Sequence, residues 1–319
     1  MYSAGARKAR PYVGILGALG LAIAPAHAAE PVTLSGRAMG TTWSVKWIQP
    51  ATPLDPATVE RRVTDRLEQL EQQFSTYRPS SDLSRFNRAA STDWIAVPPE
   101  LARVAQQARE ISKLTGGAFD VTVAPLLHLW GFGPEGRRDA LPTAAEITAA
   151  RVLVDSRKLE ARLTPPGLRK LDPRLTADFS SIAKGYAVDD LSELLGSLGA
   201  ASQLVQIGGD LKAVGSGSDS HGWRTAIEQP VENARRFARV VTLSGQALST
   251  SGSYRNFVTL GDRRAGHIVD PRTGSPAAST LASVSVINDS CATSSALATA
   301  LFALGAEEGF RFATKERLV

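Results

Sequence analysis

Cysteine is almost absent from this 319-residue chain, where Cys291 stands alone. No internal disulfide can form. The four histidines show no histidine-plus-cysteine spacing of the zinc-binding kind. Cys291 itself reads as a small buried apolar residue rather than a nucleophile. Long hydrophobic runs are missing too: the apolar stretch from Val13 to Pro25 is too short to span a bilayer. No basic run with interleaved aromatics occurs, which argues against a nucleic-acid partner. The formal charge of +5 does not alter this, because Arg7, Lys8 and Arg10 supply three of those charges and residues 1–28 hold nothing acidic, leaving +2 on the rest. Neither an internal repeat nor a regular βαβ period is present, which excludes a doubly wound sheet.

What is present begins at the N-terminus. A basic start, a short apolar core and Ala26-His27-Ala28 match a secretory signal cleaved before Ala29. No cysteine lies near that point, so a lipidated N-terminus is not expected. The expectation is export, most simply into a bacterial periplasm, with residues 29–319 as one domain and no stable membrane insertion after cleavage.

Along that domain, Val32 to Trp47 alternates around Gly40 and predicts a strand pair or a bent strand. Asp55-Pro56 starts a helix, as cap and first-turn proline, and Val59, Val63, Leu67, Leu70 and Phe74 recur at helical spacing. Ser80-Ser-Asp82 caps a short turn through Leu83 and Phe86. Pro99 to Leu114 predicts a second amphipathic helix, ended by Gly116-Gly117. Residues 131–145 read as a surface loop, at a lobe boundary or lid. A third helix is expected from Ala183 to Leu198, strands at 203–207, 238–243 and 282–287, and a last helix from Thr293 or Ser294 through Leu304, stopped by Gly305. Helices and strands so mixed give an α+β class with mixed sheets and packed helices.

Several runs carry chemistry. In Asp178-Phe-Ser-Ser-Ile-Ala-Lys-Gly, Ser180 and Ser181 precede a helix, whose N-terminus favours anions. Lys184 in the first turn opposes the helix dipole, a misfit that an anionic partner would explain. In Thr115-Gly-Gly-Ala-Phe-Asp120, the glycines either let backbone approach a ligand or simply cap a helix, and Asp120 would accept from a ring N–H or a hydroxyl. Phe74-Ser-Thr-Tyr-Arg-Pro with Asn87 could stack against and hydrogen-bond a flat ring, or could be structural. Gly266-His-Ile-Val-Asp-Pro-Arg-Thr-Gly274 holds His267, a candidate acid or base. Ser295 and Thr299 share a helix face four residues apart.

These runs, in this order from about Ser35 to Gly305, resemble the FAD:protein FMN transferases of the ApbE family. Met-Gly-Thr, Phe-Ser-Thr-Tyr, Gly-Gly-Ala-Phe-Asp, Asp-x5-Lys-Gly-Tyr-Ala-x-Asp, Gly-Gly-Asp, His-Ile-x-Asp-Pro-x-Thr-Gly and Ala-Leu-Ala-Thr-Ala-Leu-Phe carry the likeness. The resemblance implies an ApbE-like fold of two closely joined lobes with the site between them. It also implies a magnesium-dependent transfer of FMN from FAD to a threonine or serine of a partner protein, with release of AMP. Carried over by position, Met39, Tyr77, Ala118, Phe119, Asp120, Asp178, Lys184 and Ile268 would line the FAD site, and Ser181, Ser295 and Thr299 would hold Mg2+. His267 would be the base for the acceptor hydroxyl, with Lys184 assisting. The implied partner is an acceptor domain of a membrane or periplasmic redox complex. Alternatives that use the same site are an FAD pyrophosphatase and a catalytically weakened FAD-binding carrier. In the family's last-helix motif, Ala-Asp-Ala-Leu-x-Thr, the aspartate position is here Ser295, so weaker metal binding, or compensation by Asp289 or Asp178, is expected. The family also usually continues past this chain's end, which implies an incomplete edge there.

Overall fold

The computed structural model describes residues 30–318 except 135, 137, 139, 219–220, 231–235, 254–256, 261–262 and 279. The expected signal segment, residues 1–28, lies outside them. In chain order the elements are β1 (Val32–Ala38), β2 (Thr41–Trp47), α1 (Pro56–Phe74), α2 (Asp82–Arg88), β3 (Ile95–Ala96), α3 (Pro99–Leu114), α4 (Ala124–Leu129), α5 (Ala144–Arg151), β4 (Leu159–Leu163), β5 (Pro166–Lys170), α6 (Ser180–Ser197), β6 (Gln203–Ile207), β7 (Asp210–Val214), β8 (Trp223–Glu228), β9 (Phe237–Leu243), β10 (Ala247–Gly252), β11 (Phe257–Leu260), β12 (Arg263–Gly266), β13 (Val269–Asp270), β14 (Ser275–Pro276), β15 (Ser283–Asn288) and α7 (Cys291–Lys315).

The organising element is a six-stranded sheet in the order β1-β2-β6-β7-β10-β15, antiparallel at every described pairing. Alternation assigns its two faces. Trp43, Val45, Trp47, Val205, Ile207, Ala247 and Val286 point into the main core, shared with α1, α3, α6 and α7. Leu204, Leu211, Ala213 and Leu248 point the other way, against Trp223 and Leu243 of the β8–β9 ribbon. A cleft of about 500 Å³ lies under that ribbon, bordered by Ile227, Val241, Leu248 and Ile287. A second apolar centre joins Leu126, Trp130, Val258, Leu260, Ala265 and Val269. Val121 belongs to the first centre and Val123 packs on the second, so residues 121–123 tie the two together. The mixed α+β architecture expected from the sequence is the one observed.

The local rules account for most boundaries. Asp55 accepts from the Thr58 N–H at 3.1 Å and caps α1, whose buried Val59, Val63, Leu67, Leu70 and Phe74 are the predicted stripe. Gly117 N–H reaches Ser112 O at 2.9 Å and Gly116 N–H reaches Lys113 O at 3.3 Å, closing α3 with the two-bond motif a left-handed glycine permits. The β1–β2 turn has positive φ at both central residues, Met39 (51°) and Gly40 (72°), as a two-residue hairpin of matching twist requires.

Four expectations need correction. Helix α6 begins at Ser180 rather than Ala183, so Ser180 and Ser181 are inside its first turn. The 131–145 loop ends early, because Thr143 and Glu146 form a reciprocal cap that starts α5 at Ala144. Helix α7 begins at Cys291, capped by Ser290. It kinks at Gly305 (φ 76°) and resumes to Lys315 instead of stopping.

Lys170 is fully buried, its ammonium donating to the Asn87 and Ala89 carbonyls at 2.8 and 2.9 Å, at the C-terminal end of α2. Burial lowers its pKa to about 8 from the ordinary 10.5. Below pH 8 the cost of holding the charged form is fully present; it is relieved as pH rises from 8 towards 10.5, where the unfolded chain still holds the proton. Wild-type stability relative to Lys170→Met is therefore expected to rise across that window by roughly 1–3 kcal/mol. Urea unfolding of both proteins at pH 7.5 and 10.5 checks it; a flat difference would contradict it.

Candidate functional site

The site is built on the crossing of α6 and α7. A Cβ on Gly185 would lie 2.4 Å from the Cys291 carbonyl oxygen, so only glycine lets the helices approach this closely. One turn away on each, Ser295 Oγ donates to the Ser181 carbonyl at 3.0 Å. Thr299, the next turn of α7, donates to Ser295 O at 3.1 Å and lies 3.3 Å from Ser251 Oγ of β10. Lys184 Nζ donates to Ser180 O at 3.0 Å. Phe179, the residue before α6, offers no side-chain cap; Asp178 substitutes by accepting the Ser180 N–H at 2.7 Å.

The sheet contributes one end. Gly208 (φ 57°) turns β6 into β7, and a Cβ there would lie 3.3 Å from Thr41 Oγ1, which places the β1–β2 turn beside it. Asp210 then opens β7 opposite Ser249 of β10, on the face that looks at the helices. It is 5% exposed. Burial pushes its carboxyl above the usual range, while the Lys184 charge and the Ser249 and Ser295 hydroxyls pull the other way. Ser249 Oγ is also 2.8 Å from Ser294 Oγ.

The remaining candidates form a rim. The Met39 N–H donates to Glu71, which also pairs with Arg78. Arg78 and Tyr77 give their backbone N–H groups to Ser75 Oγ at 3.2 and 3.1 Å. Tyr77 is 69% exposed, and its hydroxyl donates to Phe132 O at 3.4 Å. The Phe132 ring meets His267 edge-to-face at 6.4 Å. His267 follows Gly266, where an added Cβ would lie 2.7 Å from Ser253 Cβ, two residues after Ser251. Contacts thus run from Tyr77 through Phe132 to His267, whose neighbour Gly266 packs on Ser253 just past the end of β10, and from Ser251 of β10 to Thr299, Ser295 and Ser181. Ile268 is buried against Phe302 and Ala303 of α7.

Other candidates face away. Ala118 and Phe119 are buried in the main core, so only their backbone is available. Asp120 spends both oxygens on protein: Oδ1 accepts from Thr122 N and Oγ1 at 2.7 Å each, and Oδ2 from Ser156 N at 2.9 Å. Burial raises its pKa against those bonds. Asn87 is structural, its amide bonding both the N–H and the carbonyl of Ala177 at 2.9 and 2.8 Å, which fixes the approach to Asp178. Asp270 bonds Arg272 at its backbone and guanidinium, bracing the turn after His267.

The ApbE family profile matches residues 39–319. The chain belongs to the ApbE family. A Vibrio cholerae protein named FAD:protein FMN transferase is 40% identical over 91% of this chain and 86% of its own length. An Escherichia coli K12 protein of the same name is 34% identical over 92% and 84%. The solved Vibrio cholerae flavin transferase ApbE superposes with a TM-score of 0.83 at 40% identity, covering 91% of this chain and 92% of that one. The apo flavinyl transferase ApbE of Pseudomonas stutzeri gives 0.82 at 39%, over 91% and 89%.

In this ApbE chain the structure therefore brings Ser181, Lys184, Ser295 and Thr299 together, with Tyr77 and His267 on the connected rim. It adds residues the sequence reading gave no role: Asp210, Glu71, Phe132 and Gly185. Asp210 had a signal, as the carboxylate that closes the Gly-Gly-Asp run between two strands. Among the described residues no three of His, Cys, Asp and Glu cluster as metal ligands. What α6 and α7 offer is hydroxyl and carbonyl oxygen, suited to a hard cation that also takes substrate phosphates. No described helix is long and apolar enough to cross a membrane.

Proposed function

We propose that this chain transfers FMN from FAD to a threonine or serine hydroxyl of an acceptor protein, with AMP leaving. The observation that carries this is the oxygen cluster of Ser181, Ser295 and Thr299 at the N-terminal turn of α6, beside Lys184 and on one contact path with His267. The naming of the relatives as FAD:protein FMN transferases supports it. The acceptor is a domain of a membrane or periplasmic redox complex, reached after export directed by residues 1–28.

The chemistry needs positioning and charge neutralisation rather than a protein nucleophile. The start of α6 and the Lys184 ammonium face the pyrophosphate. Mg2+, held by Ser181 O, Ser295 Oγ and Thr299 Oγ1, would neutralise charge on the phosphate oxygens. The acceptor oxygen attacks the phosphorus on the FMN side, the bond to the AMP oxygen breaks, and the hydroxyl proton passes to His267. Tyr77, exposed on the rim, is placed to cover the flavin ring.

The test is protein from Ala29 onward, mixed with FAD, Mg2+ and an acceptor domain and read by intact mass. The acceptor should gain one FMN, and a chelator should abolish the gain. His267→Ala should slow transfer by about 10²–10⁴-fold with FAD binding kept. Free FMN with an unmodified acceptor would replace transferase by pyrophosphatase. FAD binding with neither product would leave a carrier, the outcome that the missing carboxylate at Ser295 would favour.

A further inference from the structure

We infer that Asp210 supplies the carboxylate to the divalent-cation site that Ser295 lacks, so that the acidic ligand sits on the sheet instead of on α7. The inference rests on the transferase reading of the Ser181–Ser295–Thr299 cluster. Asp210 is a buried carboxylate on the helix-facing side of β7, next to Ser295 and within the field of Lys184. Around it stand the Lys184 ammonium, which gives one hydrogen to Ser180 O at 3.0 Å, and the hydroxyls of Ser295 and Ser249, which also bond Ser181 O at 3.0 Å and Ser294 Oγ at 2.8 Å. A buried charge needs a cation or donors of its own, and a magnesium site commonly uses one or two carboxylates with substrate phosphates.

The two compensators expected from the sequence do not fit. Asp289 is exposed and precedes α7, more than one helical turn before Ser295. Asp178 gives one oxygen to the Ser180 N–H at 2.7 Å. Of the three, Asp210 is the one that meets the Ser295 hydroxyl, from its place opposite Ser249 on the helix-facing side of the sheet.

Mn2+ binding, followed by its electron-paramagnetic-resonance signal in the presence of AMP, tests this apart from turnover. Asp210→Asn should weaken Mn2+ at least about tenfold, measured at a temperature where the variant is fully folded. Adding Ser295→Asp to Asp210→Asn should restore most of the affinity, because a carboxylate returns to the same site from the other side. Unchanged Mn2+ affinity in Asp210→Asn, or no rescue in the double variant, would overturn the inference. A wild type that binds Mn2+ through Asp210 yet transfers no FMN would sink the transferase reading while leaving this assignment standing.

Discussion

Gly185→Ala is expected to cost about 2–4 kcal/mol of stability, although alanine is the better helix former by about 1 kcal/mol. The added methyl would lie 2.4 Å from the Cys291 carbonyl oxygen and 2.9 Å from Ala292 Cα. Both are backbone atoms of α7, so no rotamer change relieves the clash and the helices must part. At about 2–4 °C per kcal/mol for a domain of this size, the melting temperature should fall on the order of 5–15 °C. Function should suffer beyond stability, since the 3.0 Å bond from Ser295 to the Ser181 carbonyl spans the same crossing one turn away. At a temperature where the variant is fully folded, cation affinity should therefore still be reduced. An unaltered melting temperature would show that α7 can shift at no cost, and the argument for this crossing as the site's frame would fail.

This crossing also marks where sequence reading ran out. Helices α1 and α3 were legible to the residue because their signals are local: a capping aspartate before proline, an apolar stripe, and glycines after the last turn. The start of α6 was misread because its cap is not local in form. Phe179 makes no capping bond, and Asp178 does the work from two residues upstream of Ser180. Helix α5 carried no apolar stripe to read, because it buries no residue. For the site, the runs themselves were visible, but the directions of their side chains were not. Phe119 and Asp120 sit side by side in a promising motif, yet one fills the core and the other ties Thr122 to Ser156. Conversely, Asp210 meets Ser295 only because β7 and α7 pack together, an event that no spacing within either segment records. The Asp-x5-Lys-Gly-Tyr-Ala-x-Asp run now divides by cause: Asp178 caps α6, Lys184 faces the site, Gly185 admits α7, and Asp189 holds the end of α7.

Asp189 is the second large effect. Its carboxylate accepts four hydrogen bonds: Oδ1 from Lys212 Nζ at 2.8 Å and Cys291 N at 3.0 Å, and Oδ2 from Ser290 Oγ at 2.9 Å and Ala292 N at 3.0 Å. Two of these satisfy first-turn N–H groups of α7 that have no partner within their own helix. The negative charge also suits the positive end of that helix. Asp189→Ala leaves those groups and the Lys212 ammonium unmatched in a largely buried setting, and should cost about 3–5 kcal/mol. Asp189→Asn keeps the shape and one acceptor and should cost less. The two causes separate in a double-mutant cycle. If the stranded ammonium dominates, Lys212→Met should recover a large part of the loss in Asp189→Ala; if the lost helix cap dominates, it should recover little. A loss below about 1 kcal/mol in Asp189→Ala, within the range of an ordinary surface pair, would mean that α7 is seated by its apolar packing alone. The position of Ser295 and Thr299 would then owe nothing to Asp189, and would rest on the Gly185 contact.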